Sequence, residues 1–130
     1  MADDLFNAAR AVMARAHAPY SKFPVGAAVR SASGALYVGC NVENASYPEG
    51  WCAETGAIAA MVAAGETAIA EIAVVAEQMP RTVPCGGCRQ RLAEFAGPET
   101  NIHLCDATGI VETVTLGQLL PRSFALEARP

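Results

Sequence analysis

The sequence predicts an α/β fold in which helices pack on one mixed, five-stranded sheet, and three observations carry that expectation. First, 130 residues suffice for about one domain and are short for two, so residues 1–130 read as a single domain. Second, helical and strand-like periodicities alternate in the order α, β, β, α, β, α, β, β, α, the pattern of one layered core rather than of separate modules. Third, no internal repeat, linker or low-complexity tail interrupts that order.

Each element has a local reason. Leu5, Phe6, Ala9, Val12, Met13 and Ala16 recur at spacings of three and four, with Asp3 and Asp4 at the positive end, so residues 3–16 read as an amphipathic helix. His17-Ala18-Pro19 ends it, because proline cannot continue a helix and biases its predecessor away from helical angles. Residues 26–30 and 35–41 flank Ser31-Ala32-Ser33-Gly34 and read as a hairpin. After a loop over 45–50, the alanine-rich segment 52–64 reads as a helix stopped by Gly65. Residues 69–76 are almost continuously apolar, as in a strand covered on both faces. Residues 86–95 read as a helix closed by Gly97-Pro98. Residues 102–105 and 110–114 are strands around Asp106-Ala107-Thr108-Gly109, and 116–120 is a short last helix before Pro121.

Composition narrows the function classes. The chain is 52% hydrophobic, yet no run of about 18 apolar residues occurs, so no membrane-spanning helix is expected. Met1-Ala2-Asp3-Asp4 is acidic where a secretory signal is basic, which makes a cytoplasmic location the expectation. The net charge is −4 with nine basic residues, scattered so that no stripe follows a phosphate backbone, and no nucleic-acid polymer is expected as a partner. Five cysteines, an odd number, suit metal binding or packing better than a disulfide framework in a reducing compartment. Cys40 and Cys105 lie in strand-like stretches and read as core.

The chemistry concentrates in Cys52-Ala53-Glu54 and Pro84-Cys85-Gly86-Gly87-Cys88-Arg89-Gln90, each placed where a loop enters a helix. Helix N-termini favour thiolates, because free backbone N–H groups and the macrodipole stabilise negative charge. Three thiolates from Cys52, Cys85 and Cys88 suit a zinc ion with its fourth position open to water, which the metal acidifies. Glu54 points into the same region as a proton shuttle. Arg89, next to Cys88, is the candidate to donate to thiolate sulfur and tune the charge at the metal. Other readings stand beside this one. A lone CxxC also suits a structural zinc half-site or a redox pair, but a redox reading leaves Cys52 and Glu54 without a role. A fourth ligand from Cys40 or Cys105 would close the site and make it structural.

These residues resemble the zinc-dependent cytidine deaminases of the small homotetrameric type. The likeness runs through five blocks in order: Pro19 to Ala28 (PYSKFPVGAA), Asn41 to Tyr47 (NVENASY), Cys52-Ala53-Glu54, Pro84 to Gln90, and Leu119 to Phe124 (LLPRSF). The resemblance implies a three-layer α-β-α fold and hydrolytic deamination of cytidine and 2′-deoxycytidine to uridine and 2′-deoxyuridine. It also implies one Zn2+ per chain on Cys52, Cys85 and Cys88, with Glu54 as catalytic proton carrier. By the same likeness Phe23 lines the pyrimidine pocket, and the Ala53 amide and Val83 carbonyl meet the base. Asn41 and Glu43 hold the ribose 3′-hydroxyl, and Ala45, Tyr47 and Phe124 come from neighbouring subunits of a homotetramer.

Two positions depart from the family pattern. Relatives commonly read CAER, and here Thr55 stands in place of that arginine. Gly50-Trp51 is bulkier than the usual pair before the first cysteine, and Trp51 reads either as a reshaped pocket mouth or as packing at a subunit contact. A same-fold deaminase of another cytosine-containing nucleoside is the nearest alternative, against which Phe23, Asn41 and Glu43 argue.

Overall fold

Successive side chains of a strand point to opposite faces, so strands apolar on both sides call for two helical layers. The computed structural model describes residues 2–126. Within them, strands β1 (Val25–Ser31), β2 (Leu36–Cys40), β3 (Ile69–Ala76), β4 (Asn101–Asp106) and β5 (Gly109–Thr115) form one sheet in the order β2-β1-β3-β4-β5. β3 and β4 run parallel and the other neighbours antiparallel, so the sheet is mixed as expected.

The alternation sorts the helices. Ala28, Ala73, Val75 and Cys105 face helix α1 (Ala2–Met13), which buries Leu5, Phe6, Ala9 and Met13 against them. Ala27, Val29, Ile72, Val74, Ile102 and Leu104 face the other way. There they meet α2 (Ala53–Ala63), α3 (Gly86–Phe95) and α4 (Leu116–Leu119) through Ala57, Ile58, Met61, Leu92 and Leu116. The three layers match the α-β-α arrangement implied above. Two glycines allow unusually close contact between layers: a Cβ at Gly26 would stand 2.0 Å from the Ala9 carbonyl oxygen of α1, and one at Gly39 would stand 2.3 Å from the Ala57 nitrogen of α2. The second of these seats α2, which carries part of the chemistry, directly on the edge strand β2.

Element boundaries follow tertiary pairing. α1 ends at Met13 rather than at 16, where tight turns take over. His17 then bonds its backbone to Asn41 and Glu43, forming a short bridge beside Val42. Val42 bridges Trp51 on its other side, and a 3-10 turn, Tyr47–Glu49, occupies the loop between them. α4 stops at Leu119 and starts with a reciprocal capping box between Thr115 and Gln118. Among the described residues, no helix is long and apolar enough to cross a membrane.

Candidate active site

Cys52 was expected to open its helix and stands one step earlier, so that Cys52 and Cys85 are both extended N-cap residues, of α2 and α3. Neither uses its side chain as a cap, which leaves both sulfurs to turn towards each other. The loop bringing in Pro84 and Cys85 is held by Thr82, whose hydroxyl accepts from the Ala76 amide at 2.9 Å and donates to the Cys105 carbonyl at 2.9 Å. Cys88 follows in the first turn of α3 and is fully buried. The three sulfurs lie within 4.8 Å of one another, and those of Cys52 and Cys85 are 3.8 Å apart. With zinc–sulfur bonds of about 2.3 Å, tetrahedral geometry puts neighbouring sulfurs about 3.8 Å apart, so the donor set fits that ion.

Cys105 points into the α1 side of the sheet. Cys40 is paired with Gly26, whose Cβ would also face α1, and directly opposed residues share a face. Both therefore lie across the sheet from the cluster, and the closed four-cysteine alternative has no ligand to complete it. Cys105 is the core residue expected, whereas Cys40 is only half-buried.

The electrostatics of the cluster call for a cation. The hydrogen bond shared between Cys52 and Cys88 draws the Cys52 thiol down and pushes Cys88 up, with burial adding to the rise at Cys88. Adjacent thiolates oppose one another's ionisation, and a divalent ion is the group that lets all three ionise together. Glu54 lies in the first turn of α2, 4% exposed. Burial lifts its carboxyl above the ordinary range, opposed by hydrogen bonding with Cys88 and by the charge of Arg91. A carboxyl raised in this way takes up a proton more readily than an exposed one, which suits a proton carrier.

Cys52, Glu54 and Cys85 open into a cavity of about 610 Å³, also lined by Phe23, Asn41, Glu43, Tyr47, Ala53 and Val83. That volume lies within the range of small-ligand sites. Asn41 accepts from the Val25 amide at 2.9 Å and donates to the Phe23 carbonyl at 2.9 Å, which fixes the backbone around Phe23. The Glu43 carboxylate accepts from the amides of Tyr20 and Ser21, at 2.9 and 3.1 Å, and from the Ser21 hydroxyl. The Ser21 hydroxyl and amide hold its carboxyl below the usual range. Asn41 keeps one amide hydrogen and Glu43 keeps acceptor capacity for a ligand.

Some expected residues fall elsewhere. Ala45 is exposed and Phe124 is 70% exposed, and neither lines the cavity of its own chain. Tyr47, 77% exposed, does line it, stacking edge-on with Tyr20 at 6.0 Å between ring centres. Trp51 is half exposed on the same rim.

Arg89 does not bond to sulfur. Its Nε donates to the Pro84 carbonyl at 2.8 Å and a terminal nitrogen to the Leu119 carbonyl at 2.9 Å. The reason is that α4 ends at Leu119 and leaves carbonyls in need of donors, so Arg89 pins the cysteine loop to α4. The guanidinium that reaches sulfur belongs to Arg91, 3.7 Å from Cys88 Sγ. Sequence reasoning missed it, although its spacing of three from Cys88 on a helix places the two on one face.

Comparison with known proteins agrees with this geometry. The family model for the cytidine and deoxycytidylate deaminase zinc-binding region matches residues 1–104. A cytidine deaminase of Sporosarcina psychrophila is 42% identical over 113 residues, covering 87% of this chain and 83% of the relative. One from Mycobacterium tuberculosis is 40% identical over 124 residues, covering 95% and 89%. The crystal structure of cytidine deaminase from Burkholderia pseudomallei superposes with a TM-score of 0.88 at 43% identity, covering 93% of this chain and 97% of that one. Matched along most of its length in sequence and in fold, and carrying three clustered sulfurs that could hold a metal ion, the chain belongs to the cytidine and deoxycytidylate deaminase zinc-binding family.

Proposed function

We propose that this protein hydrolytically deaminates cytidine and 2′-deoxycytidine to uridine and 2′-deoxyuridine, with one zinc ion on Cys52, Cys85 and Cys88. The observation that carries this reading is that the buried carboxyl of Glu54 and two members of a three-sulfur cluster, Cys52 and Cys85, open into the same cavity of about 610 Å³. Bound zinc supplies Lewis acidity and an activated water. Glu54 carries protons, first to N3 of the pyrimidine and then to N4. The water oxygen adds to C4 first; the C4–N4 bond then breaks, ammonia leaves and the C4 oxygen becomes the carbonyl of the product. The Ala53 amide is one of the first-turn N–H groups that have no partner within the helix, which frees it for the pyrimidine edge. The Val83 carbonyl accepts from the 4-amino group, and Phe23 packs on the ring. Asn41 and Glu43 hold the 3′-hydroxyl, and the Glu43 carboxylate repels a 5′-phosphate.

The proposal extends to a cytoplasmic homotetramer whose residues 1–130 act as one unit. Tyr47, Trp51 and Phe124 leave large apolar area exposed, which favours burial against another subunit. In that assembly Ala45 and Phe124, and Tyr47 beside its own cavity, reach a neighbouring site. The test is ultraviolet absorbance of cytidine, cytidine monophosphate and cytosine, each incubated with metal-analysed protein. Conversion of cytidine and not the other two supports the reading. Bound zinc without conversion of cytidine overturns it.

A further inference from the structure

Cys88 is the most enclosed sulfur of the cluster, and two side chains meet it that are not ligands. Thr55 Oγ1 stands 4.0 Å from it and an Arg91 terminal nitrogen 3.7 Å. Long helical side chains run back towards the N-terminus, which carries Arg91 over Gly87 to the residue one turn earlier. A Cβ at Gly87 would stand 3.3 Å from that same guanidinium nitrogen, so the glycine leaves room for it. Three thiolates around a divalent ion leave the centre with excess negative charge. From α2 the side chain that meets this sulfur is Thr55, which offers only a neutral hydroxyl.

We propose that Arg91, reaching from α3 across Gly87, supplies the positive charge that position 55 lacks and acts through Cys88 Sγ as a positioning residue for the metal centre. The inference rests on the zinc reading of the cysteine cluster. By donating to sulfur, the guanidinium draws electron density from the thiolate, which keeps Cys88 ligated and leaves the metal a stronger Lewis acid.

The test uses the zinc-loaded protein and the variants Arg91→Leu, Arg91→Lys and Arg91→Leu combined with Thr55→Arg. Zinc release to a chromophoric chelator is timed, and the thiolate-to-metal charge-transfer band is recorded after cobalt substitution. The expected result for Arg91→Leu is zinc release on the order of 10- to 100-fold faster, a shifted charge-transfer band and a fall in kcat larger than the change in KM. Arg91→Lys restores part of the effect, and Thr55→Arg restores it from the other helix. Release and band unchanged in Arg91→Leu overturn the proposal, as does a defect that neither Lys nor Thr55→Arg relieves, which is the behaviour of a packing residue. Cys52→Ser in the parent separates the two levels. If zinc content and release are unaffected by that substitution, the ligand assignment itself has failed, and the role of Arg91 falls with it.

Discussion

Gly39 offers a direct test of how the fold holds the site, because a methyl group there strikes the part of α2 that carries Cys52 and Glu54. In Gly39→Ala the new Cβ would stand 2.3 Å from the Ala57 nitrogen and 2.4 Å from the Ala53 oxygen. Both are backbone atoms and cannot swing aside, so reaching even 3.0 Å moves the start of α2 by about 0.7 Å. Overpacking against rigid neighbours costs about 3 kcal/mol, on the order of 10 °C in Tm for a chain of this length. A displacement approaching 1 Å at a catalytic group costs on the order of 100-fold in rate. Gly26→Ala is the control, since its Cβ would meet the Ala9 oxygen at 2.0 Å and displace α1, which carries no site residue. Urea melts and kcat measured on the folded fraction distinguish the two. Both variants lose stability, and only Gly39→Ala also loses turnover per folded molecule. Equal kcat losses in the two variants, or a Gly39→Ala protein as stable and active as the parent, would refute the seating of α2 on β2.

Glu54→Gln is expected to retain fold and zinc while kcat falls by about 10²- to 10⁴-fold; turnover near that of the parent removes Glu54 from proton transfer. Phe124→Ala is expected to raise the Michaelis constant for cytidine with zinc content unchanged, and an unchanged constant counts against its place in a neighbouring pocket. The Glu71 carboxyl accepts from Arg30 at 2.9 Å and lies 2.7 Å from His103, which hold it below the usual range although burial pushes the other way. A depressed carboxyl stabilises the fold above its unfolded pKa and loses that contribution as pH falls through the folded one. The stability deficit of Glu71→Gln, followed by urea melts from pH 7 downwards, is therefore expected to narrow below about pH 4; a constant deficit refutes the linkage. Arg89→Leu strips donors from the Pro84 and Leu119 carbonyls and is expected to cost about 1–3 kcal/mol by urea melt. An unchanged midpoint shows that these bonds contribute nothing net.

Local rules made much of this protein legible in its sequence. The β3 segment declared itself by an almost continuous apolar run, broken only at Glu71, and its bounds, like those of α3, agree with the structure. Cys52, Glu54, Cys85 and Cys88 stood out because few residue types bind zinc or move protons, and both short motifs abut helix starts. What the sequence could not supply was any contact set by how elements dock. Arg89 is adjacent to Cys88 and looked like its partner, but consecutive residues on a helix project about 100° apart. That turn sends Arg89 to the carbonyls of Pro84 and Leu119, while Arg91 comes back over Gly87 to the sulfur. The early end of α1 was likewise decided at a distance, by His17 pairing with the strand-like segment around Val42. Residue chemistry and periodicity determine which groups this chain holds and on which element. The docking of α2 and α3 onto one face of the sheet decides which of those groups meet, because distances of 3–4 Å between residues far apart in sequence exist only once the layers have packed.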